Sequence, residues 1–227
     1  MEYLFDTVNI SDIRKYMDIY PITGITSNPS IIFQHGKIDF FTHFREIRDL
    51  IGLKRTMHIQ VVSQDTDGIL KDAETILEQI DDQVYIKIPV TEQGLKAIRI
   101  LKQKKINVTG TAIYTKVQAL TALESGADYV ALYYNRMENM DIDPCDVIST
   151  TAKMIQSYNY ATKILGASFK NIGQVIKAFE SGAHAVTVLP SVLHAALSLP
   201  DIQRAVDDFR SDWSSIYGNA SISDLNH

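Results

Sequence analysis

Short apolar runs alternate with longer amphipathic stretches along the whole chain, beginning within the first six residues. Eight of the runs read as strands, being short, rich in β-branched or aromatic residues and bounded by polar or turn residues. They are Tyr3 to Asp6, Ile22 to Thr26, Met57 to Val62, Val84 to Ile88, Asn107 to Thr111, Asp128 to Tyr133, Lys163 to Ala167 and Ala185 to Leu189. The segments between them have helical period. In Thr91 to Lys104, for example, Leu95, Ile98, Leu101 and Lys102 follow the i, i+3, i+4 rule with charges on the other face. Residues 65–79, 114–125 and 171–181 repeat the pattern.

Strand–helix alternation implies parallel strands joined by crossover helices. Eight such units with nothing left over predict an α/β protein, a (β/α)8 (TIM) barrel forming a single domain over residues 1–227. An open doubly wound sheet is the alternative, and the Gly-x-Gly-x-x-Gly turn that would support it is absent. One further amphipathic helix, Pro200 to Tyr217, carries Ile202, Val206, Phe209 and Trp213 on one face. Lying past the eighth unit, this C-terminal helix (201–217) either caps the barrel bottom or packs on a neighbouring subunit.

Bulk properties narrow the function classes. Hydrophobic residues make up 45% of the chain and charged residues 22%, as in an ordinary soluble protein. The formal net charge of −5 argues against nucleic acid as a partner, because phosphate backbones need a basic surface. No apolar run approaches the roughly 18 residues needed to cross a bilayer, so no membrane role is expected. Cys145 is the sole cysteine and cannot form an intramolecular disulfide. With no basic and then apolar leader at the N-terminus, this fits a cytoplasmic protein.

Barrel enzymes carry their catalytic groups at the C-terminal ends of strands, facing the axis. On Val84-Tyr85-Ile86-Lys87-Ile88-Pro89, Lys87 faces opposite Val84, Ile86 and Ile88. A lysine embedded in an apolar strand is unusual. Taking it out of water favours the neutral amine, whose lone pair carbonyl attack requires. The plainer alternative is a lysine that pairs with a carboxylate or reaches solvent along the axis. The other strand ends weigh against that alternative: Asp6 closes strand one, Asn28 follows strand two just past Thr26, and Gln60 shares a face with His58 and Val62 on strand three. Thr111 closes strand five, Tyr133 strand six, and Ser168 follows strand seven. Together these residues supply an acid/base, a phenol and several neutral hydrogen-bonding groups around one lysine. The six histidines are scattered, with no i, i+4 pair on a helix, so no metal site is expected. Arg136 and the Gly166-Ala167-Ser168-Phe169-Lys170 turn are the phosphate candidates, arginine for its bidentate geometry and the turn for its position after strand seven. Lys170 alone also reads as a solvated surface charge.

These residues resemble the transaldolase family. Ile25-Thr26-Ser27-Asn28-Pro29-Ser30 is similar to its Thr-Asn-Pro-Ser signature, Lys87-Ile88-Pro89 to its Schiff-base strand, Gly166-Ala167-Ser168-Phe169-Lys170 to its phosphate-side motif, and Asp6-Thr7 to its N-terminal motif. Gln60, Tyr133, Gly110-Thr111-Ala112-Ile113-Tyr114 and the Asn135-Arg136 pair resemble the fructose-6-phosphate aldolase subgroup, where classical transaldolases carry Glu and Phe at the first two positions. Three features depart from the pattern, the mildest being Ser27 in place of a common Thr. Thr109 stands where an apolar residue is usual, and the stretch Met137 to Cys145 lacks a glycine-rich character.

The resemblance implies a class I aldolase without a cofactor. Lys87 would be the Schiff-base nucleophile and Tyr133 the acid/base, with Gln60 and Thr111 holding a water beside it. Asp6 and Asn28 would bind donor hydroxyls, and Thr26, Arg136, Ser168 and Lys170 would complete the substrate site. The substrate would be a sugar or sugar phosphate, and the assembly a homo-oligomer, a decamer. Transaldolase activity and a non-catalytic sugar-phosphate-binding barrel are the competing readings.

Overall fold

The computed structural model describes residues 1–226. The chain divides into two compact units, residues 1–190 and the segment from Ser191 onward. The first holds eight parallel strands: β1 (Glu2–Asp6), β2 (Ile22–Thr26), β3 (Thr56–Gln60), β4 (Tyr85–Pro89), β5 (Val108–Ile113), β6 (Tyr129–Tyr133), β7 (Lys163–Ala167) and β8 (Ala185–Val188). They hydrogen-bond in chain order, and β8 returns to β1, closing the barrel. The expected (β/α)8 barrel is therefore the observed fold.

The crossovers are α1 (Ile10–Tyr16), α2 (Pro29–His35), α3 (Phe40–Ile51), α4 (Thr66–Gln79), α5 (Glu92–Gln103), α6 (Lys116–Glu124), α7 (Tyr134–Glu138), α8 (Pro144–Tyr158) and α9 (Ile172–Glu180). Short polar side chains fix where most of them begin. Asn9, Asn28, Asp39, Asp65, Thr91, Thr115, Asp143 and Asn171 each accept a backbone N–H from the first helical turn. Strand alternation divides the core in two. Phe5, Ile25, Ile59, Ile86, Ile88, Val130 and Val188 are buried on the outer face, under the helices. Leu4, Tyr129, Ala131, Tyr133, Leu165, Ala167 and Ala185 fill the interior. At the N-terminal end of the interior, Tyr129 donates to Glu2 at 2.8 Å, and Lys163 pairs with Glu2 and lies over the Tyr129 ring.

Strand boundaries differ from the sequence expectation mainly at β3 and β5. β3 ends at Gln60 because the N–H groups of Val62 and Ser63 turn to the Asp72 carboxylate, at 3.0 and 2.9 Å. β5 runs on to Ile113 through an irregularity between Gly110 and Ile113, where Ala112 takes a left-handed φ of 55°. Periodicity had suggested Asn107 and Asp128 as strand starts, but both precede their strands. Asp128 instead binds Lys102 at 2.7 Å and the Val108 N–H.

The second unit contains the end of α10 (Pro190–Leu197), α11 (Pro200–Tyr217) and a short 3-10 turn, Ile222–Leu225. No residue of α11 is buried. Trp213 packs on Tyr217 and donates to the Ala220 carbonyl at 2.7 Å, while Ile202, Val206 and Phe209 are exposed.

Candidate active site

A cavity of about 140 Å3 opens at the C-terminal ends of the strands. Asp6, Asn28, Lys87, Tyr133, Arg136, Ser168 and Lys170 line it, bringing together residues from β1, β2, β4, β6 and β7 or the loops that follow them. Thr26, Gln60 and Thr111 stand around it without lining it.

Lys87 is only 2% exposed. Its Nζ donates to the Ser27 carbonyl at 3.1 Å. Among the described residues no carboxylate oxygen lies within 4.0 Å of it, so it is not half of a buried ion pair. The Ser27 carbonyl is available because the Thr-Ser-Asn-Pro-Ser turn directs its other groups elsewhere. Ser27 sends both its N–H and its hydroxyl to the His58 carbonyl, and Asn28 caps α2 through Ile31 N, with Pro29 at the first helical position.

Asp6 is not the helix cap, a role that falls to Asn9. Its Oδ1 accepts from the Thr26 hydroxyl at 2.7 Å, and Thr26 Oγ1 lies 2.6 Å from Thr187 Oγ1. A hydroxyl has one proton, so with Thr26 donating to Asp6, Thr187 must donate to Thr26. Burial raises the Asp6 pKa above the usual carboxylate value, while the Lys87 charge and the Thr26 bond act in the opposite direction. Thr26 is fully buried with its hydroxyl committed, so it supports Asp6 from behind the cavity wall.

Thr111 donates to the Tyr133 hydroxyl at 3.2 Å. Tyr114 meets the Tyr133 ring edge-on at 5.6 Å, and the Arg136 guanidinium lies 5.0 Å from its centroid while donating to Tyr114. Exposed cation–π contacts of this kind contribute about 0.5–1 kcal/mol. Gln60 is among the residues lining a neighbouring hollow of about 710 Å3 with Pro89 and Gln93, and among the described residues its buried Oε1 has no hydrogen-bond partner. Such an atom costs about 1–3 kcal/mol unless a water or ligand satisfies it.

The loops carrying Arg136 and Lys170 are strapped together. Gln174 accepts the Lys170 N–H at 2.7 Å and donates to Asn135 Oδ1 at 3.1 Å, and the Asn135 N–H reaches the Ser168 carbonyl at 3.2 Å. Ser168 holds a left-handed φ of 63°, and a Cβ at Gly166 would sit 2.7 Å from the Phe169 ring. Among the described residues no three His, Cys, Asp or Glu side chains group as metal ligands, and no helix is long and apolar enough to cross a membrane.

The model of the family described as "Transaldolase/Fructose-6-phosphate aldolase" matches residues 3–220. The chain belongs to this family. It is 50% identical over 222 residues to a Streptococcus pneumoniae protein described as "Probable fructose-6-phosphate aldolase", an alignment covering 98% of this chain and all of that one. The segments whose sequence resembles the family's motifs contribute Asp6, Asn28, Lys87, Ser168 and Lys170 to the cavity wall. Sequence reasoning missed Thr187, the Ser27 carbonyl and Gln174. Thr187 had a signal, an inward hydroxyl in the apolar run of β8. The other two had none, since one is backbone and the other sits on a helix face.

Proposed function

We propose that this member of the family is a class I aldolase in which Lys87 forms a Schiff base with a ketose such as fructose 6-phosphate. The observation that carries the reading is a buried lysine at the wall of a polar cavity, with no carboxylate oxygen within 4.0 Å of its amine among the described residues. The neutral amine attacks the C2 carbonyl, and loss of water from the carbinolamine gives an iminium. A base removes the C4 hydroxyl proton, the C3–C4 bond breaks, and its electron pair enters the iminium to give an enamine. Glyceraldehyde 3-phosphate leaves. Protonation at C3 and hydrolysis then release dihydroxyacetone and restore the amine. Synthesis runs the same steps in reverse.

Tyr133, held by Thr111 at the cavity wall, is the acid/base of this scheme. A water shared with the unpartnered Gln60 oxygen would complete its relay. Asp6 and the free amide of Asn28 would take the donor hydroxyls. Arg136, Ser168 and Lys170 would take the phosphate, with Thr26 holding Asp6 in place. Borohydride reduction in the presence of dihydroxyacetone should label Lys87 and leave Lys87→Met unlabelled; a label that survives the substitution moves the nucleophile elsewhere. Free dihydroxyacetone from fructose 6-phosphate alone identifies the aldolase, whereas turnover only with added erythrose 4-phosphate identifies a transaldolase. The protein would act in the cytoplasm as a homo-oligomer, in which a neighbouring copy covers Ile202, Val206 and Phe209 of α11. A monomeric mass in solution would remove the oligomer from the proposal.

A further inference from the structure

Inside the barrel, below the cavity, lies a fully buried histidine that the chemistry above does not use. His58 Nδ1 is 2.8 Å from Thr109 Oγ1, and Nε2 is 3.0 Å from Thr56 Oγ1. Its ring stacks on Tyr85 at 4.7 Å and meets the Tyr129 ring edge-on at 5.1 Å, while Tyr85 and Tyr129 lie 5.3 Å apart. Three rings thus touch one another across the barrel interior.

The topology gives the Thr109 bond a particular path. His58 is on β3 and Thr109 on β5, so a bond between them crosses the inner face of β4. In register, His58 pairs with Tyr85 and Thr109 pairs with Lys87, the two successive inward residues of β4. The bridge therefore passes between Tyr85 and Lys87, beneath the lysine stem. A neutral imidazole has one N–H and one lone pair, and two hydroxyl partners satisfy both in either tautomer. Burial, with the charges of Lys87 and Arg48, lowers the His58 pKa to about 3, so the bridge stays uncharged. Thr109 is the position where an aliphatic side chain would fill the same space, yet it carries a hydroxyl and that hydroxyl is engaged.

We propose that the His58–Thr109 bridge is a positioning device for Lys87, a hydrogen-bonded floor that holds the stem upright so that the amine meets the ketone carbon from one direction. The proposal rests on the Schiff-base reading of the same site. A stem without this floor spreads the amine over more rotamers, which slows attack while the rest of the cavity still binds the ketose. The loss falls on kcat and leaves KM alone.

Two substitutions separate this role from simple filling of space. Thr109→Val keeps the shape and removes the hydroxyl; Thr109→Ser keeps the hydroxyl and removes a methyl. Thr109→Val is expected to slow borohydride-trapped adduct formation and kcat about tenfold with KM unchanged, while Thr109→Ser stays within about threefold of the parent. The reverse order, with valine active and serine impaired, overturns the proposal. If Thr109→Val fails to fold, His58→Phe/Thr109→Val removes both ends of the bridge and leaves neither unpaired; a parental trapping rate there also overturns it. Absence of any adduct in the parent protein would instead remove the Schiff-base reading itself.

Discussion

Thr111 donates its hydroxyl proton to the Tyr133 phenol oxygen at 3.2 Å, which leaves the phenol's own proton free to point into the cavity that Tyr133 shares with Lys87. A group placed in this way can give and take a proton without leaving its rotamer. Tyr133→Phe keeps the ring, the Tyr114 edge contact and the Arg136 stacking, and removes only the exchangeable proton. The expected outcome is a fall in kcat of about 10^2 to 10^4, with the fold intact by circular dichroism. Parental turnover in this variant would assign the proton to another group.

Lys87→Met should cost little stability. Among the described residues the amine makes a single hydrogen bond, to the Ser27 carbonyl, and methionine fills nearly the same volume in an otherwise apolar strand. The variant is expected within about 1 kcal/mol of the parent in urea denaturation, while adduct formation disappears. A loss above about 3 kcal/mol would mean that the lysine is there to hold the fold.

His58 makes acid stability predictable. Its pKa falls from 6.5 to about 3 on folding, because burial and nearby positive charge disfavour the imidazolium. The unfolded chain therefore binds the proton more readily. This residue's contribution is undiminished above pH 6.5 and is lost progressively as the pH drops towards 3. The full loss would be about 5 kcal/mol. Stability curves of the parent and His58→Phe should converge by up to this amount, or cross, on acidification. The other titrating groups are common to both proteins and cancel. Parallel curves would show that His58 titrates normally.

Two glycines should respond differently to alanine. A Cβ at Gly24 would lie 2.1 Å from Thr56 Oγ1 and 2.6 Å from the Thr56 backbone oxygen, and that backbone belongs to the neighbouring strand of a closed barrel. Gly24→Ala is expected to cost about 3 kcal/mol or more by thermal unfolding. At Gly36 nothing lies within 4 Å, and the only obstacle is a φ of 106°, so Gly36→Ala should cost about 1–2 kcal/mol. Equal losses would show that the β2–β3 spacing can relax.

The strand periodicity of this chain places Lys87, Thr111 and Tyr133 on inward faces, and that inference needs no coordinates, because alternate residues of a strand face opposite sides. The same argument puts Asp6 and Gln60 at the barrel mouth. What alternation does not say is how far each side chain reaches or what satisfies it once there. Thr26 and Thr187 are 161 residues apart and meet only because β8 closes on β1. That closure gives the Thr26 hydroxyl its second partner, while the β1–β2 register alone sets it against Asp6. Gln60 is the last residue of β3 because Val62 and Ser63 leave the ladder for Asp72, and among the described residues its buried oxygen meets no partner.

The bond between His58 and Thr109, 51 residues apart, shows the same division. Each residue taken alone reads as an odd polar side chain on a buried strand. Local sequence determined the strands, the helix caps, the inward-facing lysine and the family motifs, because these depend on neighbours a few residues away. Only the closed barrel decided which inward groups meet, since closure and register bring distant strands within hydrogen-bonding distance and leave each buried polar atom a small choice of partners.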